Sequence, residues 1–290
     1  MGQFGELTLG GISFGMIYAA IGLALVLIWR ATRILNYAQG GMAMLTTYIA
    51  LTVISHTGSY WAGFAVALAA GLVLGAVIER VVIRPVENKP PLNAVIVTIG
   101  LLIFLEGLAG IIYGGQFRSF PAAFSITGLR HGSLGISSND VFVAGAVLAA
   151  ALVLAVVFRY TSAGLRLRAS AFNAQVARLL GVRVGRMLTL GWALAGLIGA
   201  LAGVLVSPST FLFPNSMDSI FVLGFTAAVI GGLDSPVGAV AGGLILGVVL
   251  NYVGGYLGAD LVPLFGLAAL TVVLMVRPSG LFAATRTRQV

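Results

Sequence analysis

Apolar residues in this chain gather into runs about as long as a bilayer is thick, and polar residues are confined to the gaps between them. About 20 apolar residues cross a bilayer. On that measure the pattern predicts spans over about 9–29, 38–54, 61–83, 93–113, 141–158 and 187–206. The last third is less regular: 220–233 is short for a span, 237–256 is glycine-rich, and 261–276 ends at Arg277. Lipid leaves the backbone no polar partner but itself, so the runs are read as helices. The expectation is an all-α polytopic membrane protein of about nine transmembrane helices, or eight to ten if 220–233 is a half-span. It forms one transmembrane domain over residues 1–290, with a loop of mixed Gly, Ser and Phe leading to Asp140.

The longest polar interruption is 159–186, RYTSAGLRLRASAFNAQVARLLGVRVGR, with six arginines and no acid. Within it Asn173 is placed to cap a short helix from about Ala174 to Leu180, and Gly181 stands where a helix stops. Phe172, Val176, Leu179 and Leu180 share one face at helical spacing, while Gln175 and Arg178 turn away. Such a helix between two spans suits docking on another protein. The alternative is a solvated basic loop that only fixes topology.

Composition narrows the class. The chain is 59% hydrophobic and 8% charged, against about 25% charged in soluble domains. A net charge of +8 would suggest nucleic acid on a soluble basic face. Here the basic residues punctuate apolar runs and act as orientation signals. With the N-terminus outside and nine crossings, 14 of 16 basic residues fall inside, and Arg118 and Arg130 remain outside. That predicts N-terminus out and C-terminus in. The segment before the first run lacks the basic start of a cleavable signal.

Chemistry-bearing groups are few. Cysteine is absent, and His56 and His131 have no partner at ligand spacing, so no metal site is expected. No G-x-x-x-x-G-K-[ST] occurs, so nucleotide-driven work would fall to another subunit. Nothing resembles a catalytic constellation. Asn36, Gln39, Gly40 and Gly41 open the second span; they suggest either a broken helix start at membrane depth or an ordinary helix entering from the cytoplasm. In 225–247, Gly231, Gly232, Asp234, Ser235 and Pro236 make a tight turn. Gly238, Gly242, Gly243 and Gly247 supply small-residue packing, and Thr226 offers a hydroxyl. Glu106 is the acid well inside a predicted span, where protonation or a hydrogen bond to a neighbouring helix is the default.

Several blocks resemble the permease family of branched-chain amino acid ABC transporters, over most of the chain. GMIYAAIGLALVLIWRATRILNYAQGGMAMLTTYIA is similar to the family's opening, and ERVVIRPV with VIVTIGLLIFLEG to its middle. TSAGLRLRASAFNAQVARLLGVRV resembles its cytoplasmic coupling loop; VIGGLDSPVGAVAGGLILGVV and VRPSGLF resemble its closing motifs. The length fits the shorter, LivH-type member of the permease pair. The resemblance implies a bacterial inner-membrane importer subunit in which an extracytoplasmic binding protein delivers substrate to this chain and a second, related permease. Two cytoplasmic ATPases, which bind ATP and Mg, would drive it through Asn173, Ala174, Val176, Ala177, Arg178, Leu179, Leu180 and Gly181. It also implies that Asn36, Gln39, Gly40, Gly41, Thr226, Gly231, Gly232 and Ser235 lie near the central path. Tyr37 and Gln39 depart from the Phe and His frequent in the family block, which removes any imidazole role. Substrates would be branched-chain or related amino acids; urea, short amides or aromatic acids are the alternative within the family. An ion-coupled secondary transporter, which would lean on Glu106, or a purely structural membrane subunit, are the alternatives outside it.

Overall fold

The computed structural model describes residues 2–87, 89–124, 129–131, 134–277 and 279–282. Pro278 of the closing motif and the tail residues Arg286 and Arg288, which enter the orientation argument, lie outside the described residues. The side chains of Arg130 and His131 do too.

Each apolar run is helical. In chain order the helices are α1 (Gly2–Thr32), α2 (Gln39–Thr57), α3 (Tyr60–Ile78) and α4 (Pro91–Tyr113). They continue as α5 (Ser138–Tyr160), α6 (Ser162–Phe172), α7 (Ala174–Leu179) and α8 (Val184–Val206). Last come α9 (Asp218–Gly231), α10 (Pro236–Tyr256) and α11 (Val262–Val276). Among the described residues seven are long and apolar enough to cross a membrane: α1, α3, α4, α5, α8, α10 and α11. The other two expected spans, α2 and α9, fall short. α9 has 14 residues, and α2 opens on Gln39 and carries Thr46, Thr47, Thr52, Ser55 and His56.

The long loop between α4 and α5 holds an element the pattern did not reveal. Strands β1 (Leu129–His131) and β2 (Leu134–Ile136) pair antiparallel, Leu129 opposite Ile136. Runs of three residues are too short for alternation to register in the sequence.

α1 is the central column, with Met16 to Ile28 almost wholly buried. Its partner α10 approaches through backbone: a side chain at Gly243 would strike Ala19, and one at Gly247 would strike Gly15. Gly75 of α3 meets Trp192 of α8 in the same way. Close approach through small residues is how helices associate where lipid removes the hydrophobic drive, and it bears out the spacing of Gly238, Gly242, Gly243 and Gly247. The outer faces of α4, α5 and α11 carry the exposed large side chains, among them Ile103, Leu152 and Met275. Tyr60, Trp61, Phe64, Phe124 and Phe142 cluster where α3 and α5 begin, as aromatic residues do at a membrane interface.

Candidate functional site

The arginine-rich segment folds into two helices, α6 and α7, joined at Asn173. The sequence reading had only the second, as far as Leu180; the helix ends at Leu179, with Leu180 as its cap residue. The signal for α6 was Thr161, whose Oγ1 caps the helix by accepting from the Gly164 N–H at 3.1 Å. Asn173 Oδ1 accepts from the N–H groups of Gln175 and Val176, each at 3.0 Å. Gly181 takes φ 79°, and the Val182 N–H returns to the Ala177 carbonyl at 2.9 Å, closing the helix. These bonds satisfy the orphan groups at both ends of a helix too short to hold itself.

One side of α7 is anchored. Ala177 is buried with Val184 and Leu188, and Ala31, Ala169, Ala174 and Val182 pack around them. The other side is bare: Phe172 is 90% exposed, Leu179 88% and Leu180 76%, with Val176 beside them. Gln175 and Arg178 are exposed as well. A bare apolar cluster in an arginine-rich segment is a surface suited to another macromolecule.

A network that sequence reasoning missed lies behind this helix. α3 passes into a π-helical turn, Glu79–Ile83, and then a 3₁₀ turn, Arg84–Val86. Arg84 Nη2 donates to Glu79 Oε2 at 2.9 Å, to the Gly185 carbonyl at 2.8 Å and to Thr189 Oγ1 at 2.9 Å. Thr189 Oγ1 in turn donates to Glu79 Oε2 at 2.6 Å. The foot of α3 is thus tied to the first turns of α8, the helix that leaves α7. Beyond it, burial pushes the Glu87 carboxyl above the ordinary carboxylate range, and the charge of Glu79 adds to this. Arg178 of α7 and then Arg84 oppose the shift. The π-turn was the available signal, but a one-residue helical insertion leaves no mark on hydropathy.

The second candidate is the start of α2. Arg33 ends α1 at φ 57°, a left-handed conformation uncommon for a residue with a Cβ. It pairs with Asp234 in the α9–α10 turn. The chain then leaves the helix over 34–38, turning at Tyr37 and Ala38, and Gln39 Nε2 donates to the Ala195 carbonyl of α8 at 3.0 Å. At about 1.5 Å per residue, Ala195 lies roughly 16 Å along α8 from Val184. Gly40 abuts Phe221 of α9, and three residues further on Gly224 meets Ile21 in the middle of α1. α2 therefore begins at mid-bundle, which decides for the broken start. Non-helical backbone at such depth needs internal partners, and it has them. The Ala38 N–H donates to Asn36 Oδ1 at 3.1 Å, Asn36 Nδ2 donates to Gln39 Oε1 at 3.0 Å, and Thr98 of α4 donates to the Leu35 carbonyl at 3.4 Å. Asn36, Gln39, Gly40 and Gly41 are all buried within this chain.

The remaining path candidates divide. Thr226 is buried and donates to the Val222 carbonyl of its own helix at 2.9 Å. Gly231, Gly232 and Ser235 lie apart from Asn36 and Gln39, in the turn at the end of α9. Gly231 packs on the Gly238 backbone, Gly232 takes φ 98°, and Ser235 Oγ accepts from the Gly238 N–H at 3.0 Å. The Leu281 N–H closes on the Ile230 carbonyl at 2.8 Å, fixing the end of the described chain to this turn. Glu106 accepts from Asn215 Nδ2 at 3.0 Å and faces Asp218 at the start of α9. The hydrogen bond was expected; the second carboxylate was not. Among the described residues, no group of three or more His, Cys, Asp or Glu is placed to hold a metal ion.

Residues 7–277 match the family described as branched-chain amino acid transport system / permease component. The chain belongs to this family. It is 30% identical to the high-affinity branched-chain amino acid transport system permease protein LivH of Escherichia coli, over 97% of this chain and 96% of that one. The LivH of Salmonella typhimurium is 29% identical at the same coverage. The ribose import permease protein RbsC of Escherichia coli is 27% identical over 80% of this chain and 72% of its own. Among solved structures, PsaBC from Streptococcus pneumoniae in complex with Fab superposes with a TM-score of 0.53 over 94% of this chain and 91% of that chain. At 15% identity that likeness speaks for the fold alone. As a member of this permease family built largely of membrane-length helices, the protein is a multi-pass inner-membrane protein.

Proposed function

We propose that this chain is the permease subunit of an ATP-binding cassette importer that passes branched-chain or related small amino acids across the inner membrane. Its partners are two cytoplasmic ATPase subunits, which bind the ATP and Mg, a second related permease in a heteromer, and an extracytoplasmic substrate-binding protein. The observation that carries the reading is the capped, anchored helix α7, whose Phe172, Leu179 and Leu180 are bare on the arginine-rich end. An ATPase docked there would push on α7 and, through Ala177 and the Glu79–Arg84–Thr189 network, on α8 and α3 together.

Nine crossings with the N-terminus out and the C-terminus in follow if 33–38 with α2, and 210–217 with α9, each count as one crossing. The mid-bundle start of α2 favours this reading. The gap there, around Asn36, Gln39, Gly40 and Gly41, stands nearest the centre, with Thr226 on the neighbouring helix. Few fixed charges at this depth suit a zwitterionic or neutral solute.

Co-purification of the chain with its genomic neighbours, followed by ATPase assays with binding protein and candidate solutes, tests the proposal. Solutes should include branched-chain amino acids, urea, short amides, aromatic acids and ribose. Stimulation by one solute class supports the reading and names the substrate. Burying two carboxylates in an apolar contact is costly, so Leu179→Asp/Leu180→Asp should abolish ATPase association while the permease stays folded. Uptake that follows a proton or sodium gradient with no associated ATPase overturns the proposal.

A further inference from the structure

At the arginine-rich end of the bundle a cavity of about 1230 Å³ opens on the last turns of α1. Arg30, Arg33, Arg168 and Arg277 line it, from three separate parts of the chain, and Asp234 is the acid among them. Asp234 is already engaged by Arg33. Among the described residues Arg30, Arg168 and Arg277 meet no carboxylate within ion-pair distance. Asp234 attracts Arg30 as well, while Arg168 and Arg33 each repel it, so one carboxylate stands against several guanidiniums. Trp29, also in the wall, carries a buried indole N–H without an acceptor.

Apart from Ser235 and Ser279, most of the remaining wall is apolar. Leu27, Phe158 and Leu274 come from α1, α5 and α11, and the guanidinium of Arg30 stands 5.8 Å over the Phe158 ring. α5 and α11 are the most lipid-facing of the membrane-length helices, with 17% and 6% of their spans buried. Unpaired guanidiniums above an apolar wall, at the foot of lipid-facing helices, match a phosphate joined to an acyl chain. An acidic protein segment would leave the apolar wall unfilled. Basic pockets between membrane helices are favourable seats for anionic headgroups, and guanidinium suits phosphate by bidentate hydrogen bonding.

We propose that this cavity is a binding site for the headgroup of an anionic phospholipid, held by Arg30, Arg168 and Arg277. Phe172, which begins the bare face of α7, also forms part of its wall. A lipid seated here would therefore support the docking helix from behind. The inference concerns this chain alone and does not depend on the solute carried.

Native mass spectrometry of the purified full-length chain, titrated with phosphatidylglycerol or phosphatidylcholine of the same acyl chains, tests it. Phosphatidylglycerol should bind more tightly, and Arg168→Gln/Arg277→Gln should weaken it by about tenfold or more. Arg168→Lys/Arg277→Lys should keep most of the preference, which separates lost charge from lost folding. Arg80→Gln, at an exposed arginine outside the cavity, should bind as the parent does. Equal binding of the two lipids, or no effect of the glutamine pair, overturns the proposal. So does full displacement by inorganic phosphate at matched concentration, which would mark a free-phosphate site. Loss of ATPase association in the glutamine pair with lipid binding intact would mark a protein-docking site and also overturn it.

Discussion

Arg84 and Glu79 form a two-point ion pair across the π-turn at the foot of α3, with Arg84 Nε and Nη2 at 3.1 and 3.0 Å from Glu79 Oε1. Glu79 is 1% exposed, so its charge is compensated by Arg84 and Thr189 rather than by water. Removing one partner of such a pair leaves a buried charge uncompensated, at about 3–5 kcal/mol. Arg84→Gln should therefore lower the thermal unfolding temperature markedly, and Glu79→Gln less, since an amide can still accept from Arg84 and Thr189. The double variant Glu79→Gln/Arg84→Gln should be more stable than Arg84→Gln alone. Additive losses in the three melting curves would mean the pair is not the unit described.

The caps of α7 make a separable prediction. Loss of an N-cap side chain costs about 1 kcal/mol, and a side chain at φ 79° costs about as much. Asn173→Ala and Gly181→Ala should each leave bundle stability almost unchanged, because α7 is peripheral. Both should weaken ATPase association several-fold by loosening the presented face. Association equal to the parent in a pull-down would show that α7 need not be preformed.

How much of this was readable beforehand differs by element. Apolar runs of membrane length are a summed signal, so the ends of α4, α8 and α10 fell within a few residues of expectation. α7 was legible because Asn173, Gly181 and the spacing of Phe172, Val176 and Leu179 are local. The Glu79–Arg84–Thr189 network was not, since it joins residues 110 apart and depends on a helical insertion. Asp218 meeting Glu106 was hidden for the same reason: the two side chains are far apart in sequence and meet only through the fold. The break before α2 was half legible. Two glycines and two amides raised it, but only the Gln39–Ala195 contact gives its depth.

That contact can be tested. Gln39 bridges Asn36 and the Ala195 carbonyl in a fully buried site. An unsatisfied buried polar group costs about 1–3 kcal/mol, and Gln39→Leu leaves Asn36 Nδ2 only the Met42 sulfur at 3.4 Å. It should lower the melting temperature and expose 34–38 to faster hydrogen exchange. Gly199→Ala should do likewise, because a Cβ there would collide with the Gln39 amide. Unchanged exchange over 34–38 in both variants would mean the segment is held by the helices around it and not by this bond.

Glu106 separates the ABC reading from the ion-coupled one. Its carboxyl accepts from Asn215 and shares a hydrogen bond with Asp218, so two carboxyl groups meet beside the first turn of α9. Glu106→Gln keeps an acceptor for Asn215 and gains an N–H₂ that can donate to Asp218, removing the repulsion. Stability should be unchanged or higher, and uptake should stay near the parent level, because an ATP-driven permease needs no titrating group at this position. Asp218→Asn should behave alike, since an asparagine remains a good residue for a helix start. Transport assays in proteoliposomes with the partner subunits decide the matter. Uptake lost in Glu106→Gln at normal expression and melting temperature would mean that the negative charge itself is used. The pair of carboxyls would then belong to the transport path and not to a structural contact between Glu106 and the start of α9.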